Sequence, residues 1–383
     1  MLEFTEDHEM FRTTVREFVQ KEIDTHADAW EESGAFPAHE LYPKLGALGL
    51  LGLTYDPRWG GGGADTSYTM ILGEELGRSA ALGVSMAISV QTDMATPALH
   101  RYGSDELRER YLRPAIAGEM VAAVAISEPD AGSDVAAIRT RGTRDGDEWV
   151  INGTKMWITS GTQADWICVL VRTSDEGGYR GCSQIVVPTD TPGFSVSRRL
   201  DKLGMRSSDT AELSFEDARV PVANTIGEIG RGFQQQMTQF QDERMIAAYQ
   251  MIGAVEQALE RTVAYLRERQ AFGAPLLANQ SLQYELADIA AELDLNRHHN
   301  WAAVAAADRG EDITRHATVA KLKAARLARR MADVAVQYHG GMGYVEENWP
   351  ARFYRDTRLW SIGGGADEVM LRTLARMNGI TGD

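Results

Sequence analysis

The chain has 383 residues, with 55 acidic against 39 basic side chains, 44% hydrophobic residues and two cysteines. That length supports a large buried core and two or three domains, which excludes disorder as the main state. A formal charge of −16 argues against a general binder of nucleic acid or anionic membrane and leaves a local basic pocket for a small phosphorylated ligand. Cys168 and Cys182 are too few for a disulfide scaffold and too isolated for a metal cluster, so both are expected in the core of a protein from a reducing compartment. The first twenty residues mix charged and apolar positions, unlike a signal peptide, and no run reaches the roughly 18 apolar residues of a membrane span. A cytoplasmic protein is expected.

Helical periodicity dominates from residue 5 to about residue 120. Phe11, Val15, Phe18 and Val19 recur on one face, and Tyr42, Leu45, Leu48 and Leu50 begin a second. The run WGGGGAD at 59–65 reads as a loop, because four successive glycines penalise a helix interior. Helices are expected from about Ser67 to Leu76, around Ser85 to Tyr102, and near Glu106 to Tyr111. From Ala122 to about Asp217 the texture changes to short β-rich runs, WVINGTKMWIT, DWICVLV and SQIVVP, divided by turn residues. With no helical connectors between most of them, an antiparallel sheet or barrel fits better than a parallel one. After GRGFQ, three long periodic stretches, Glu243–Arg267, Leu282–Ala307 and Thr318–Gln337, predict a helical bundle. The expected organisation is α+β: a helical domain at 1–121, a β domain at 122–229 and a helical bundle at 230–383, with the two helical parts packed together and the β domain beside them.

Dinucleotide, Walker A, zinc-protease and serine-elbow motifs are missing, and no metal site is visible. Four other segments stand out. SEPDAGSD at 127–134 gathers hydroxyls, carboxylates and a glycine that suit either an oxygen-rich ligand or a solvated turn. Trp157, Ile158 and Thr159 suit a planar heterocycle or a cross-strand packing patch. QYHGGMGY at 337–344 and GGGAD at 363–367 permit close backbone approach to a flat or phosphorylated cofactor, or are simple turns. Glu243, followed by Arg244 and an apolar run, reads either as a first-turn residue favoured by a helix N-terminus or as a base whose pKa burial must raise.

Read in order, AISEPDAGSD (125–134), NGTKMWITSG (152–161), KLGMRSSDTAEL (202–213), RERQAFG (267–273), QYHGGMGY and YRDTRLWSIGGGADEV (354–369) resemble successive signatures of the acyl-CoA dehydrogenase family across nearly the whole chain. The resemblance implies FAD, with the isoalloxazine near Ala125, Ile126 and Ser127 and near Trp157, Ile158 and Thr159. It places Arg269, Phe272, Gln280, Gln337, Gly340 and Gly341 against the adenine and pyrophosphate part across a subunit interface, with Ala366 and Glu368 in the adjoining loop and helix. A homo-oligomer follows, most often a tetramer built as a dimer of dimers. Ser133, Gln241, Arg244, Gly363 and Arg376 fall in positions associated with the acyl-CoA substrate.

Many relatives carry the catalytic base in the loop where this chain has Gly364. Relatives resembling isovaleryl-CoA and long-chain dehydrogenases present it instead from the helix before an arginine, the place of Glu243; Glu368 is the nearest alternative. The implied reaction is α,β-dehydrogenation of an acyl-CoA to a trans-2-enoyl-CoA. Glu243 takes the α-proton, the Gly364 N–H helps polarise the thioester carbonyl, and an electron-transfer flavoprotein receives the electrons. An oxidase or monooxygenase on the same fold and a non-catalytic acyl-CoA or flavin binder are the alternatives. Gln241 stands where relatives often have Asp, and Ala366 replaces the usual Thr after the loop glycine. The absence of a side chain at Gly364 leaves room for branched or long acyl groups.

Overall fold

A computed structural model describes residues 4–380. The N-terminal third is helical: α1 (Glu6–Phe18), α2 (Ala27–Ser33), α3 (Ala38–Ala47), α4 (Thr66–Gly77), α5 (Leu82–Ser89), α6 (Pro97–Tyr102), α7 (Asp105–Leu107) and α8 (Arg113–Ala117). Gly60 to Asp65 form the expected loop, with the Asp65 side chain capping α4 through the Ser67 N–H. The segment expected as one long element from Ser85 to Tyr102 is divided. A π-turn at Val90–Ala95 follows α5, and Pro97, which has no N–H to continue the ladder, opens α6.

The middle of the chain is a sheet of β1 (Ala122–Ala125), β2 (Arg141–Asp145), β3 (Glu148–Thr159), β4 (Trp166–Arg172), β5 (Cys182–Pro188), β6 (Phe194–Arg199), β7 (Thr210–Pro221) and β8 (Thr225–Ile226), ordered β6-β7-β3-β2-β4-β5-β8 with β1 on β4. Most pairings are antiparallel, as the short connections predict. The β1–β4 and β2–β4 pairings are parallel, which corrects the expectation of a purely antiparallel sheet. Long connections, including the 126–140 loop, permit the crossover that parallel strands need. Cys168 and Cys182 are both buried and free.

Three long helices, α9 (Gly232–Glu268), α10 (Gln280–Asp308) and α11 (Thr314–His339), form the C-terminal bundle. A small hairpin of β9 (Gln270–Ala271) and β10 (Ala274–Pro275) links α9 to α10, and α12 (Trp349–Thr357) and α13 (Asp367–Met377) close the chain. Met70 of α4 and Leu82 of α5 share one apolar cluster with Ile246, Ile252, Leu293 and Leu327 of the bundle, so the two helical parts pack together. The sheet does not merely lie beside them. Val15, Tyr42 and Val84 of the N-terminal helices form a single core with Ile151, Ile167 and Leu213 of the strands.

Helices α4 and α9 meet at glycines. A Cβ on Gly77 would collide with the Gln250 carbonyl, one on Gly253 with the Glu74 carbonyl, and one on Gly73 with the Tyr249 side chain. This close approach fixes α9 against the N-terminal helices and so sets where its side chains point. Gly253→Ala is expected to destabilise the protein by about 1–3 kcal/mol through overpacking, despite the helix propensity it gains. Gly132→Ala, where an added Cβ meets open space, should be close to neutral in the same denaturation experiment.

Candidate active site

Glu243 lies more than three turns inside α9, which begins at Gly232. The reading of a first-turn carboxylate is therefore corrected, because the influence of a helix end fades within its first turn. The side chain is 8% exposed. Its Oε1 accepts two hydrogen bonds at 2.9 Å, from the Gln236 and Gln239 side-chain amides on the same helix. Its Oε2 has no partner among the described residues and is not sealed from accessible space. Burial pushes the carboxyl up to about 7, against the opposing pull of the two amides and of Arg244. One oxygen is thus fixed and the other is free to exchange a proton near neutral pH.

Arg244, the next residue, points away from that carboxyl as helix geometry requires. It donates to Gln241 Oε1 at 3.1 Å, and its Nε is buried without a partner. That orphaned donor lies 3.9 Å from the point a Gly365 Cβ would occupy, so the Gly363–Gly365 loop and the Gln241–Arg244 segment meet. Gly364 and Gly365 have φ of +63° and +98°, values that favour glycine. The Gly364 N–H donates to no acceptor among the described residues. The loop is held from below by Lys321, which is fully buried and donates to the Gly365 carbonyl. Ala366 is the N-cap of α13 and has no capping side chain; Glu368 is exposed in the first turn of that helix and Arg376 in its last.

A second wall comes from the sheet. The Ser127 carbonyl accepts from the Met156 N–H at 2.9 Å, and the Ile126 carbonyl from Lys155 Nζ at 2.8 Å, which joins the end of β1 to β3 beside Trp157. β3 bulges between Lys155 and Ile158, with Trp157 at φ +68° and its indole 63% exposed. Ala125 and Ile126 are buried and Ile158 points into the sheet core, whereas Trp157 and Thr159 keep accessible side chains. Phe233 and Phe240 of α9 pack on the cluster containing Ile126 and Ala131, which brings this wall against the helix that bears Glu243. Ser133 is exposed on the same loop.

The remaining predicted residues gather elsewhere. The Tyr265 and His339 rings stack at 4.1 Å, placing the end of α9 beside the end of α11. Arg269, Phe272 and Gln280 follow Tyr265, Gln337, Gly340 and Gly341 flank His339, and all six are exposed. Phe272 and Gly273 form the two-residue turn of the β9–β10 hairpin, both with positive φ, and Phe272 projects fully into solvent.

The chain matches three families in order: acyl-CoA dehydrogenase, N-terminal domain, over residues 5–119; middle domain, over 123–218; and C-terminal domain, over 230–378. The chain belongs to the acyl-CoA dehydrogenase family. It is 37% identical over 376 residues to a probable acyl-CoA dehydrogenase of Bacillus subtilis, covering 98% of each chain. It is 36% identical to the short-chain specific acyl-CoA dehydrogenase of Rattus norvegicus, with 98% of this chain and 90% of that one covered. The crystal structure of a putative acyl-CoA dehydrogenase from Mycobacterium smegmatis superposes with a TM-score of 0.96 at 40% identity, covering 99% of both chains. The protein is an FAD-dependent acyl-CoA dehydrogenase by class. Its residues fit that cofactor: an exposed indole beside backbone groups suits a flat heterocycle, and added Cβ atoms at Gly340 and Gly341 meet only open space.

Sequence reasoning missed the groups that support this site. Gln236 and Gln239 precede Glu243 by seven and four residues, a spacing that becomes informative only once the helix is known to start at Gly232. Lys155 and Glu128 were unreadable as a pair because 26 residues separate them. In the structure they form a buried ion pair at 2.9 Å, and Glu128 also accepts the Arg139 and Thr140 N–H groups. This pair shapes the 126–140 loop instead of presenting Glu128 to a ligand. Lys155→Met is expected to cost about 3–5 kcal/mol by leaving a buried carboxylate without its cation. The double variant Lys155→Met/Glu128→Gln should recover part of that loss in a denaturation cycle.

Proposed function

We propose that Glu243 is the base that takes the α-proton of the acyl-CoA and that the Gly364 N–H polarises the thioester carbonyl. The observation that carries this reading is the free Oε2 of a buried carboxyl whose other oxygen is fixed by two amides. An α-proton next to a thioester is far too weakly acidic for an unaided carboxylate, so an N–H with no acceptor among the described residues, at the loop beside Arg244, is the kind of donor that developing enolate charge needs. FAD, when bound, supplies the two-electron acceptor for the β-hydrogen. Desolvation around Glu243 strengthens the base by raising its proton affinity, and its pKa near neutrality leaves enough carboxylate present to act. Arg244 brings an unpaired buried donor to the same place and is assigned to the CoA-bearing substrate; Gln241 holds its Nη1. Gln241, Gly363, Ser133 and Arg376 complete the proposed substrate contacts, and the exposed Phe272 set with Ala366 and Glu368 the FAD contacts.

The placement of the base on α9, with no side chain at Gly364, supports assignment to the isovaleryl-CoA and long-chain type. Electrons pass to an electron-transfer flavoprotein, and the protein acts in the cytoplasm. Among the described residues no helix is long and apolar enough to cross a membrane. Phe272 on its hairpin and Tyr284 and Leu295 on α10 leave large apolar surfaces open, which supports a homo-oligomer, a dimer of dimers, that covers them.

Glu243→Gln should keep bound FAD and acyl-CoA binding but lose rapid anaerobic bleaching of the flavin; near-normal bleaching would remove the assignment. Because the base works as carboxylate, the bleaching rate of the unaltered enzyme should rise as pH increases through about 7 and level off above it. Gln236→Leu removes a hydrogen bond that favours the charged form, so it should move that rise to higher pH. Gly364→Glu, strained by φ +63° yet projecting into open space, should narrow the range of acyl chains accepted and restore part of the bleaching when combined with Glu243→Gln. Unchanged chain preference without rescue would count against the role given to Gly364.

A further inference from the structure

Successive glycines give the Gly363–Gly365 loop great backbone freedom, and Gly364 and Gly365 use it at φ +63° and +98°. The loop therefore needs anchors. The Gly363 N–H donates to the Leu359 carbonyl at 2.8 Å, and the Ala366 carbonyl accepts from the Val369 and Met370 N–H groups at 2.9 and 3.0 Å as α13 begins. Between those ends the Gly365 carbonyl accepts from Lys321 Nζ, which reaches it from α11, about two turns inside a helix that starts at Thr314. Gly364 is thus bracketed by a bond on either side, while its own N–H keeps no acceptor among the described residues.

Holding a carbonyl needs only a neutral donor, yet the group placed here is an ammonium. Lys321 is fully buried, and among the described residues no carboxylate lies within ion-pair distance of it. Asp367, the acid that faces it from the start of α13, is shared by Arg326 at 3.5 Å and Arg329 at 3.8 Å, and Glu368 beside it is exposed. A buried ammonium without an anion loses its hydration and regains little from one carbonyl. Arg244 repeats the imbalance from α9: apart from its bond to Gln241 it is unpaired, and its buried Nε lies 3.9 Å from the point a Gly365 Cβ would take. Two cations from different helices therefore converge on the loop that carries the free Gly364 N–H. Such an arrangement stabilises negative charge that appears at the loop only during reaction.

We propose that Lys321 is a positioning residue for the dehydrogenation: from α11 it holds the glycine loop so that the Gly364 N–H faces the thioester carbonyl, and its charge adds to that of Arg244 in favouring the enolate. The inference rests on the reading of Gly364 given above and adds the residue that orients that donor.

The test uses the FAD-loaded enzyme with Lys321→Met, which keeps the length but removes charge and donor, and Lys321→Gln, which keeps a neutral donor. With whichever of butanoyl-, octanoyl- and 3-methylbutanoyl-CoA bleaches the unaltered enzyme fastest, Lys321→Met should lower the maximal anaerobic bleaching rate by about tenfold or more and leave the half-saturating concentration within about twofold, the pattern of an interaction made in the transition state. Binding gives a readout without turnover. 3-Oxooctanoyl-CoA, whose acidic α-carbon can bind as the enolate, should bind Lys321→Met about tenfold more weakly than the unaltered enzyme, whereas the thioether S-octyl-CoA, which has no carbonyl, should lose less than about twofold. Lys321→Gln should fall between the two enzymes. A role in packing alone would weaken both ligands equally or neither, so an unchanged ratio of their dissociation constants overturns the proposal, as does an unchanged maximal rate. Should Lys321→Met fail to hold FAD, the ratio in Lys321→Gln decides; failure of both variants to hold FAD assigns Lys321 to folding and overturns the proposal too. Loss of bleaching in Glu243→Gln, with both Lys321 variants behaving as the unaltered enzyme, leaves the dehydrogenation reading standing while this inference fails. Bleaching of the unaltered enzyme by no acyl-CoA ends both.

Discussion

Burying a carboxyl without a cation is costly, and α9 is arranged around that cost at Glu243. The helix supplies its own compensation, because Gln236 and Gln239 lie on the face that Glu243 shares and both direct amides at one oxygen. Gln236 is steadied in turn by Gln184 of β5 at 2.8 Å, so the sheet helps to position Glu243. Enough desolvation remains to keep the group near neutrality. A cation placed directly on Glu243 would have lowered its proton affinity and weakened it as a base; Arg244 is adjacent in sequence but turned towards the glycine loop.

That arrangement depends on the rest of the fold holding α9 at a fixed rotation. The glycine contacts with α4 set the helix against the N-terminal part, and Gly232, where a Cβ would strike the Ser183–Gln184 backbone, sets its start against the sheet. Between those two points lies the stretch from Gln236 to Arg244. The π-turn at Val90–Ala95 and the loop after β1 close around it, each pinned by a buried polar side chain, Gln91 in one case and Lys155 in the other. Buried polar groups thus serve here to fix irregular backbone where regular ladders cannot.

Several residues that a sequence reader would count as cofactor contacts divide on inspection into two kinds. Trp157 and Phe272 keep exposed rings at positive φ, conformations that a bulky residue adopts only when the surrounding structure imposes them. Ala125, Ile126 and Ile158 have their side chains in the core. The same motif therefore contains both packed and exposed side chains, and alternation along β3 separates them.

Much of the architecture was legible in the sequence, because helix and strand periodicities persist over long runs: the three bundle helices, the β-rich middle and the loop at 60–65 follow from local pattern. The glycine segments at 340–341 and 363–365, the Trp157 patch and Glu243 also stood out, since their residue types are unusual for plain packing. What the sequence left undecided were pairings across distance. Parallel β1–β4 contact, the single core shared by helices and sheet, the Lys155–Glu128 pair and the Lys321 bond to Gly365 all join residues whose spacing carries no signal. The competition at Glu243 between helix end, arginine and burial was equally open, because only the tertiary structure shows where α9 begins, which way Arg244 turns and how much water reaches the carboxyl. Local propensity fixes elements, while the proton affinity of a buried group is set by everything packed around it.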